Sequence, residues 1–216
     1  KDILSELIFW VQVIGGLIFS VAQFIKMLET TEGTSITWYL FFEIFLIFNL
    51  VLAFRAHKLV SGRQQKQTLA IYLCWLINVT VLLGTVAWKA QWRHTDTVVT
   101  TIIAITTLIT FAVGNAAGLR MDDAIIKGVI AFLCKAVPEF YLGYCILQDH
   151  GGAGLAPIMV WSGHVTVLTR LTKLIIDGVG SGFNRNVVGM IVSEIGNEVS
   201  WIFTTAIWYC HTGRAS

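Results

Sequence analysis

The sequence predicts an all-α membrane protein of seven transmembrane helices, and three observations carry that reading. The 216 residues are 56% hydrophobic and only 13% charged, with a mean hydropathy of +0.73, which is more apolar surface than one soluble core can bury. Apolar runs of about 20 residues, the length that crosses about 30 Å of hydrocarbon, recur between short polar breaks. A polar motif at the end of a membrane-length run occurs twice, about 120 residues apart. It reads Ala22-Gln23 followed by Thr31-Glu32-Gly33-Thr34-Ser35, then Ala136-Val137-Pro138-Glu139 followed by Gly151, Gly152 and Gly154. A repeated half is the usual build of a carrier whose site lies between the halves.

The first run, 7–27, begins near the start of the chain and lacks a small-residue cleavage site, so it is read as a mature helix rather than a signal. It ends at the polar stretch 29–35, and the second run follows at 36–55. The stretch 55–67 separates it from the third, 68–89, and the stretch 89–96 leads into the fourth, 97–118. The fifth, 124–147, starts after the charged segment 120–123; the sixth, 154–176, after 149–154; and the seventh, 186–210, after 177–186. Helices 1 to 3 and 5 to 7 share a length pattern and a motif position, whereas helix 4, rich in threonine (Thr100, Thr101, Thr106, Thr107, Thr110), has no counterpart. Parity accounts for the odd helix. Three crossings would invert a directly linked second triplet, and one added crossing restores the parallel orientation. The expected organisation is therefore 3+1+3: a three-helix repeat at 1–90, a linker helix at 91–122 and a second repeat at 123–216, parallel about an axis along the membrane normal.

Several chemistries are set aside at this level. Cys74, Cys134, Cys145 and Cys210 lie in or beside apolar runs without ligand-like spacing and read as small buried hydrophobes, so no metal or disulfide is expected. The net charge of +2 is scattered over loops and gives no basic patch for nucleic acid. The five histidines (His57, His94, His150, His164, His211) sit mostly at loops or helix ends, which argues against an intramembrane enzyme, and no cofactor is implied. A retinal protein needs a lysine within its last helix, and helix 7 has none.

The segment Gly16-Leu17-Ile18-Phe19-Ser20-Val21-Ala22-Gln23 leading to Thr30-Thr31-Glu32-Gly33-Thr34-Ser35, the tetrad Ala136-Val137-Pro138-Glu139, and Gly196-Asn197-Glu198 with Trp201 in the last helix resemble the PQ-loop superfamily of carriers. That group includes the SWEET sugar facilitators and the lysosomal cystine and cationic amino acid exporters. The resemblance implies a seven-helix carrier working by alternating access, with a facing pair of asparagines binding substrate. It covers the chain in organisation, but in residues only these short stretches. The chain departs from both signature dipeptides, with Ala22 where proline is expected and Glu139 where glutamine is expected. Proline kinks a helix by removing a donor and crowding the preceding turn, so the hinge is expected at Pro138, with Gln23 and Gly33 as the remaining motif positions.

Acids within a bilayer cost several kcal/mol and are functional candidates by default. Glu43, Glu139, Glu194 and Glu198 qualify. Glu139 stands at the hinge one turn after Lys135, where burial and the neighbouring ammonium act in opposite directions; it reads as a proton carrier or as half of a structural ion pair. Helix 7 places Glu194, Asn197, Glu198, Trp201, Thr205 and Trp208 on one stripe expected to face a central cavity, with Trp208 in the interfacial belt. An amide, acids and a tryptophan suit an amino group or a guanidinium. Trp75 and Asn78 of helix 3 occupy nearly matching places, so Asn78, Asn197, Trp75, Trp201 and Glu198 are the expected binding residues; a membrane asparagine also serves simply to join helices. Glu43 in helix 2 and His164 in helix 6 fall in matching registers, and His164 is read as a proton relay to Glu139 or Glu43, or as a plain interhelical donor. Arg170 and Lys173 are expected to snorkel to headgroups.

These readings favour a proton-coupled carrier for an amino acid or related cation, with a small polar solute, protons and lipid as partners and self-association left open. A passive sugar facilitator is the nearest alternative, since it needs no buried carboxylate. A receptor similar in fold, like that for luminal KDEL-type peptides, is the alternative of another class; it requires a cavity closed at one end whose basic groups, such as Lys135 and Arg170, capture a carboxylate. The amino-terminal side collects most of the basic residues (Lys1, Arg55, Lys58, Arg63, Lys66, Arg120, Lys127, Lys173, Arg185) against Lys26, Lys89, Arg93 and Arg214 opposite. That places the amino terminus in the cytosol, whereas the resemblance implies the reverse.

Overall fold

The computed structural model describes residues 2–59, 62–90, 92–183 and 185–212; Lys1 and Arg214 of the charge count lie outside them. Among the described residues it comprises seven helices and no strand. They are α1 (Asp2–Glu29), α2 (Ile36–Leu59), α3 (Arg63–Lys89), α4 (His94–Ala116), α5 (Ala124–Gln148), α6 (Pro157–Ser181) and α7 (Arg185–Thr212). Local chemistry sets the ends. The Ser35 hydroxyl accepts from the Trp38 amide at the start of α2, the Asp96 carboxylate from the Arg93 amide at the start of α4, and Asp123 from the Ile125 amide at the start of α5. Pro157 opens α6, where its missing N–H costs nothing.

Five helices, those beginning at Glu6, Ile36, Gln65, His94 and Ala124, are long and apolar enough to cross a membrane, which fits a membrane protein. The expectation of seven spans is met to that extent. α6 and α7 have the length, at 25 and 28 residues, but His164, Arg170 and Lys173 in one and Glu194, Asn197 and Glu198 in the other lower their hydropathy. The surface is inverted relative to a soluble protein. Leu108, Val113 and Val192 are each more than 60% exposed, while Gln12, Gln23, Thr37, Asp96, Lys135, Glu139 and Asn197 are buried. Polar groups gathered inside an apolar jacket are what hydrocarbon demands.

α3 packs against both α1 and α2, and α7 against both α5 and α6; α1 also meets α6, and α2 meets α5. α4 leans on α2 and α5 and is the least enclosed of the five apolar helices. α5 is interrupted by a π turn at Phe132–Ala136. The Val137 amide reaches back to the Phe132 carbonyl, five residues away, and the widened turn lies over the residues that the Pro138 ring would otherwise crowd. α1, with Ala22 in place of proline, is uninterrupted.

Candidate functional site

The end of the bundle where α1 finishes is sealed by two loops, one between α1 and α2 and one between α5 and α6. Gln23, fully buried, donates from Nε2 to the Gly154 carbonyl at 2.8 Å and accepts from the Ala156 amide at 2.9 Å. A side-chain amide thus copies the pairing of a backbone strand. The Gly154 amide donates to the Glu32 carbonyl at 2.9 Å, and the Gly33 amide to the Asp149 carboxylate at 2.8 Å. Arg93 pairs with Asp149 and donates to the Thr34 carbonyl at 3.0 Å. Trp208 closes the edge, donating to the Gly152 carbonyl at 3.1 Å. Glycine is required here: Gly33 has φ +71°, and a Cβ on Gly154 would run into the Glu32 backbone.

At the opposite end a cavity of about 350 Å³ opens between the amino-terminal part of α1 and the ends of α2, α3, α5, α6 and α7. Gln12, Asn49, Tyr72, Lys127, Arg170, Lys173 and Glu194 line it among apolar side chains. Deeper lies a chamber of about 50 Å³ bounded by Phe19, Trp38, Phe42, Trp75, Lys135, Glu139, Asn197 and Trp201. Arg170 borders both spaces and so stands at the throat.

The chamber has an aromatic wall and a charged wall. Trp38 stacks on Trp201 with centroids 5.8 Å apart and planes 19° apart, and Trp75 meets Phe19 and Phe42. Opposite, Lys135 Nζ lies 3.4 Å from Glu194 Oε2 and Arg170 Nη1 lies 3.8 Å from Glu194 Oε1. Two cations therefore share one carboxylate. The Ser200 hydroxyl lies 2.5 Å from the Glu139 carboxylate and 2.8 Å from the Asn197 carbonyl, and its single proton serves one of the two at a time. Two buried polar atoms on this chamber have no hydrogen-bond partner, the Trp75 indole nitrogen and the Asn197 amide oxygen. Such orphans are costly unless something fills them.

The sequence-predicted residues divide. Trp75, Trp201, Asn197 and Glu139 meet at the chamber. Asn78 does not; its amide turns to Cys74 Sγ at 3.8 Å within α3. Glu198 also leaves the site, pairing with His164 Nδ1 at 2.6 Å, while His164 Nε2 meets the Thr205 hydroxyl at 2.9 Å. The α7 stripe is thus split: one helical face is too wide to point all of its residues into a single space. His164 serves Glu198 rather than Glu139 or Glu43, and Glu43 accepts from Thr80 at 2.8 Å away from both spaces. Lys135, within the π turn, pairs with Glu194 across helices rather than with Glu139 along its own. Trp208 is buried against Gly152 instead of joining the belt.

Arg170 is the residue that sequence reasoning misplaced most. α6 continues to Ser181, so Arg170 lies about three turns inside the helix, where it lines both spaces. Ser200 and Trp38 were missed altogether. Among the described residues no group of three His, Cys, Asp or Glu side chains converges to hold a metal ion. No family model, curated protein or solved structure matches the chain.

Proposed function

We propose that this protein is an integral membrane carrier that moves a small polar solute by alternating access, and that it is caught here with its central site open to the side of the amino-terminal helix ends. One observation carries the reading: a cavity at one end and a smaller polar, aromatic-lined chamber share Arg170 in their linings, while at the other end the loops are tied to each other and to Gln23 by hydrogen bonds. A carrier needs that asymmetry, because a site open at both ends would leak. The packing supports it. In both triplets the third helix packs against the first two, with α4 as the odd member, which fits two parallel repeats of PQ-loop type joined by a linker helix. Pro138 with its π turn supplies the flexible joint, and Glu139 beside the chamber is the candidate proton carrier. A chamber of about 50 Å³ holds one or two waters or a single polar end group, which disfavours a sugar ring.

The test is tracer uptake by purified protein in sealed liposomes, with and without acid outside, for panels of amino acids, carboxylates, cations and sugars. Accumulation of one class against its gradient is the expected result. Binding of a label that never reaches the lumen would replace the carrier by a sorting receptor, a reading favoured by Lys135 and Arg170 inside a cavity closed at one end.

A further inference from the structure

Resting on that carrier reading, the charge arrangement narrows both the solute and the coupling. The acids that sequence reasoning reserved for a cationic solute are already engaged. Glu198 is held by His164, and Glu194 is shared by Lys135 and Arg170. The Arg170 guanidinium, with a side chain only 16% exposed, makes no hydrogen bond among the described residues; at 3.8 Å its approach to Glu194 is an ion contact only. A forked donor with nothing to donate to, placed at the throat of a cavity, calls for a carboxylate. Beyond it Asn197, a residue only 3% exposed, has an amide oxygen without a partner, which calls for a donor.

We propose that the cavity binds a small carboxylate whose second polar group donates to Asn197, that Arg170 holds the carboxylate, and that one proton on Glu139 travels with it. With His164 protonated, so that its pair with Glu198 is neutral, the charges require the proton. Lys135, Arg170 and Glu194 together carry one positive charge. With Glu139 protonated the group of four keeps that charge, and one carboxylate cancels it; with Glu139 ionised the empty group is already neutral. The loaded and empty forms are then both neutral, and these are the forms that cross a low-dielectric barrier most cheaply. The surroundings of Glu139 contain no other compensating charge at the chamber. α2 and α3 present Trp38, Phe42 and Trp75, α1 presents Phe19, and α6 presents Arg170; outside the chamber lining, Glu194 of α7 is shared by two cations and Glu198 is held at Oε1 by His164 while its Oε2 has no partner. Asp96 of α4 is bound to Thr37 and to its own helix start.

The experiment uses liposomes loaded with the full chain and probed with labelled L-lactate, choline and D-glucose, the membrane potential being clamped. Acid outside drives lactate accumulation without net current, and the lactate-induced rise in thermal midpoint of the detergent-solubilised protein fades as pH is raised. Arg170→Gln weakens lactate binding by at least about tenfold, the loss expected for a charge-assisted pair, and Arg170→Lys restores part of it. Glu139→Gln retains lactate exchange across the membrane, loses acid-driven accumulation, and makes lactate stabilisation independent of pH. Accumulation of choline or glucose with lactate ignored overturns the carboxylate assignment and leaves the carrier standing. Acid-driven accumulation that survives Glu139→Gln overturns the coupling. No movement and no binding of any probe overturns the carrier and this inference with it. The thermal readout on the unmodified chain decides the carboxylate question even where a variant fails to fold.

Discussion

The first three helices and the last three face each other across the same chamber and bring opposite chemistry to it. α1 to α3 contribute Phe19, Trp38, Phe42 and Trp75, a wall without a formal charge, and their one buried amide at the seal, Gln23, binds backbone rather than a side chain. α5 to α7 contribute Lys135, Glu139 and Arg170, along with Asn197 and Trp201; Glu194, which meets both cations, and the separate His164–Glu198 pair lie outside that lining. The backbones differ in the same sense: α1 is uninterrupted, whereas α5 carries the π turn before Pro138. The first three helices bring aromatic surface and a contact to the loops, and the last three bring charge, Trp201 and the π turn.

The largest test of that contrast sets Glu194 against Glu43. Glu194 compensates two buried cations, so Glu194→Ala leaves them unpaired and is expected to cost about 3–5 kcal/mol. Glu43 accepts a single hydrogen bond from Thr80, itself exposed, and Glu43→Ala is expected to cost no more than about 1 kcal/mol. Equilibrium unfolding in mixed micelles measures both. Equal losses would mean that the charge asymmetry between the triplets is not what holds the second one together.

The seal tests how the two triplets are joined. A Cβ on Gly154 would meet the Glu32 and Thr31 backbone, which neither loop can yield cheaply, so Gly154→Val should prise the loops apart at a cost of about 1–3 kcal/mol. Gln23→Ala, which removes the two hydrogen bonds to Gly154 and Ala156, should shift the same equilibrium by about 2 kcal/mol. A cysteine placed at Thr34, buried in the sealed form, reports the opening by its rate of alkylation. An unchanged rate in both variants would show that the loops are not the barrier at this end.

Much of the fold was legible because the hydrocarbon imposes length: the polar breaks at 29–35, 120–123 and 149–154 fall where helices end. Pairing across helices was not legible. Asn78 and Asn197 occupy like places in the chain, yet only Asn197 reaches the chamber, while Asn78 turns to Cys74 within its own helix. Arg170 was misread for a related reason. The apolar run in α6 fades before the helix does, so a residue deep in the bundle looked like one near its edge. Glu139 and Trp201 were found because each breaks a local rule, a carboxylate beside a helix-kinking proline and a tryptophan one turn after a buried amide.

The smallest effect concerns the aromatic wall and a pair of adjacent glycines in α1. Gly15 has open space where a Cβ would lie, whereas a Cβ on Gly16 would stand 3.0 Å from Trp75 Cε2. Gly15→Ala should therefore gain only helix propensity and stabilise by about 0.5–1 kcal/mol. Gly16→Ala gains the same propensity but must push Trp75, whose ring is wedged against Phe19 and Phe42, and the two contributions should nearly cancel or turn destabilising. Trp75 fluorescence would register the push, provided the other tryptophans are unchanged. If Gly16→Ala stabilises as much as Gly15→Ala, the wall is looser than its burial implies, and the uncharged side of the chamber must be counted as an adaptable surface rather than a fixed one.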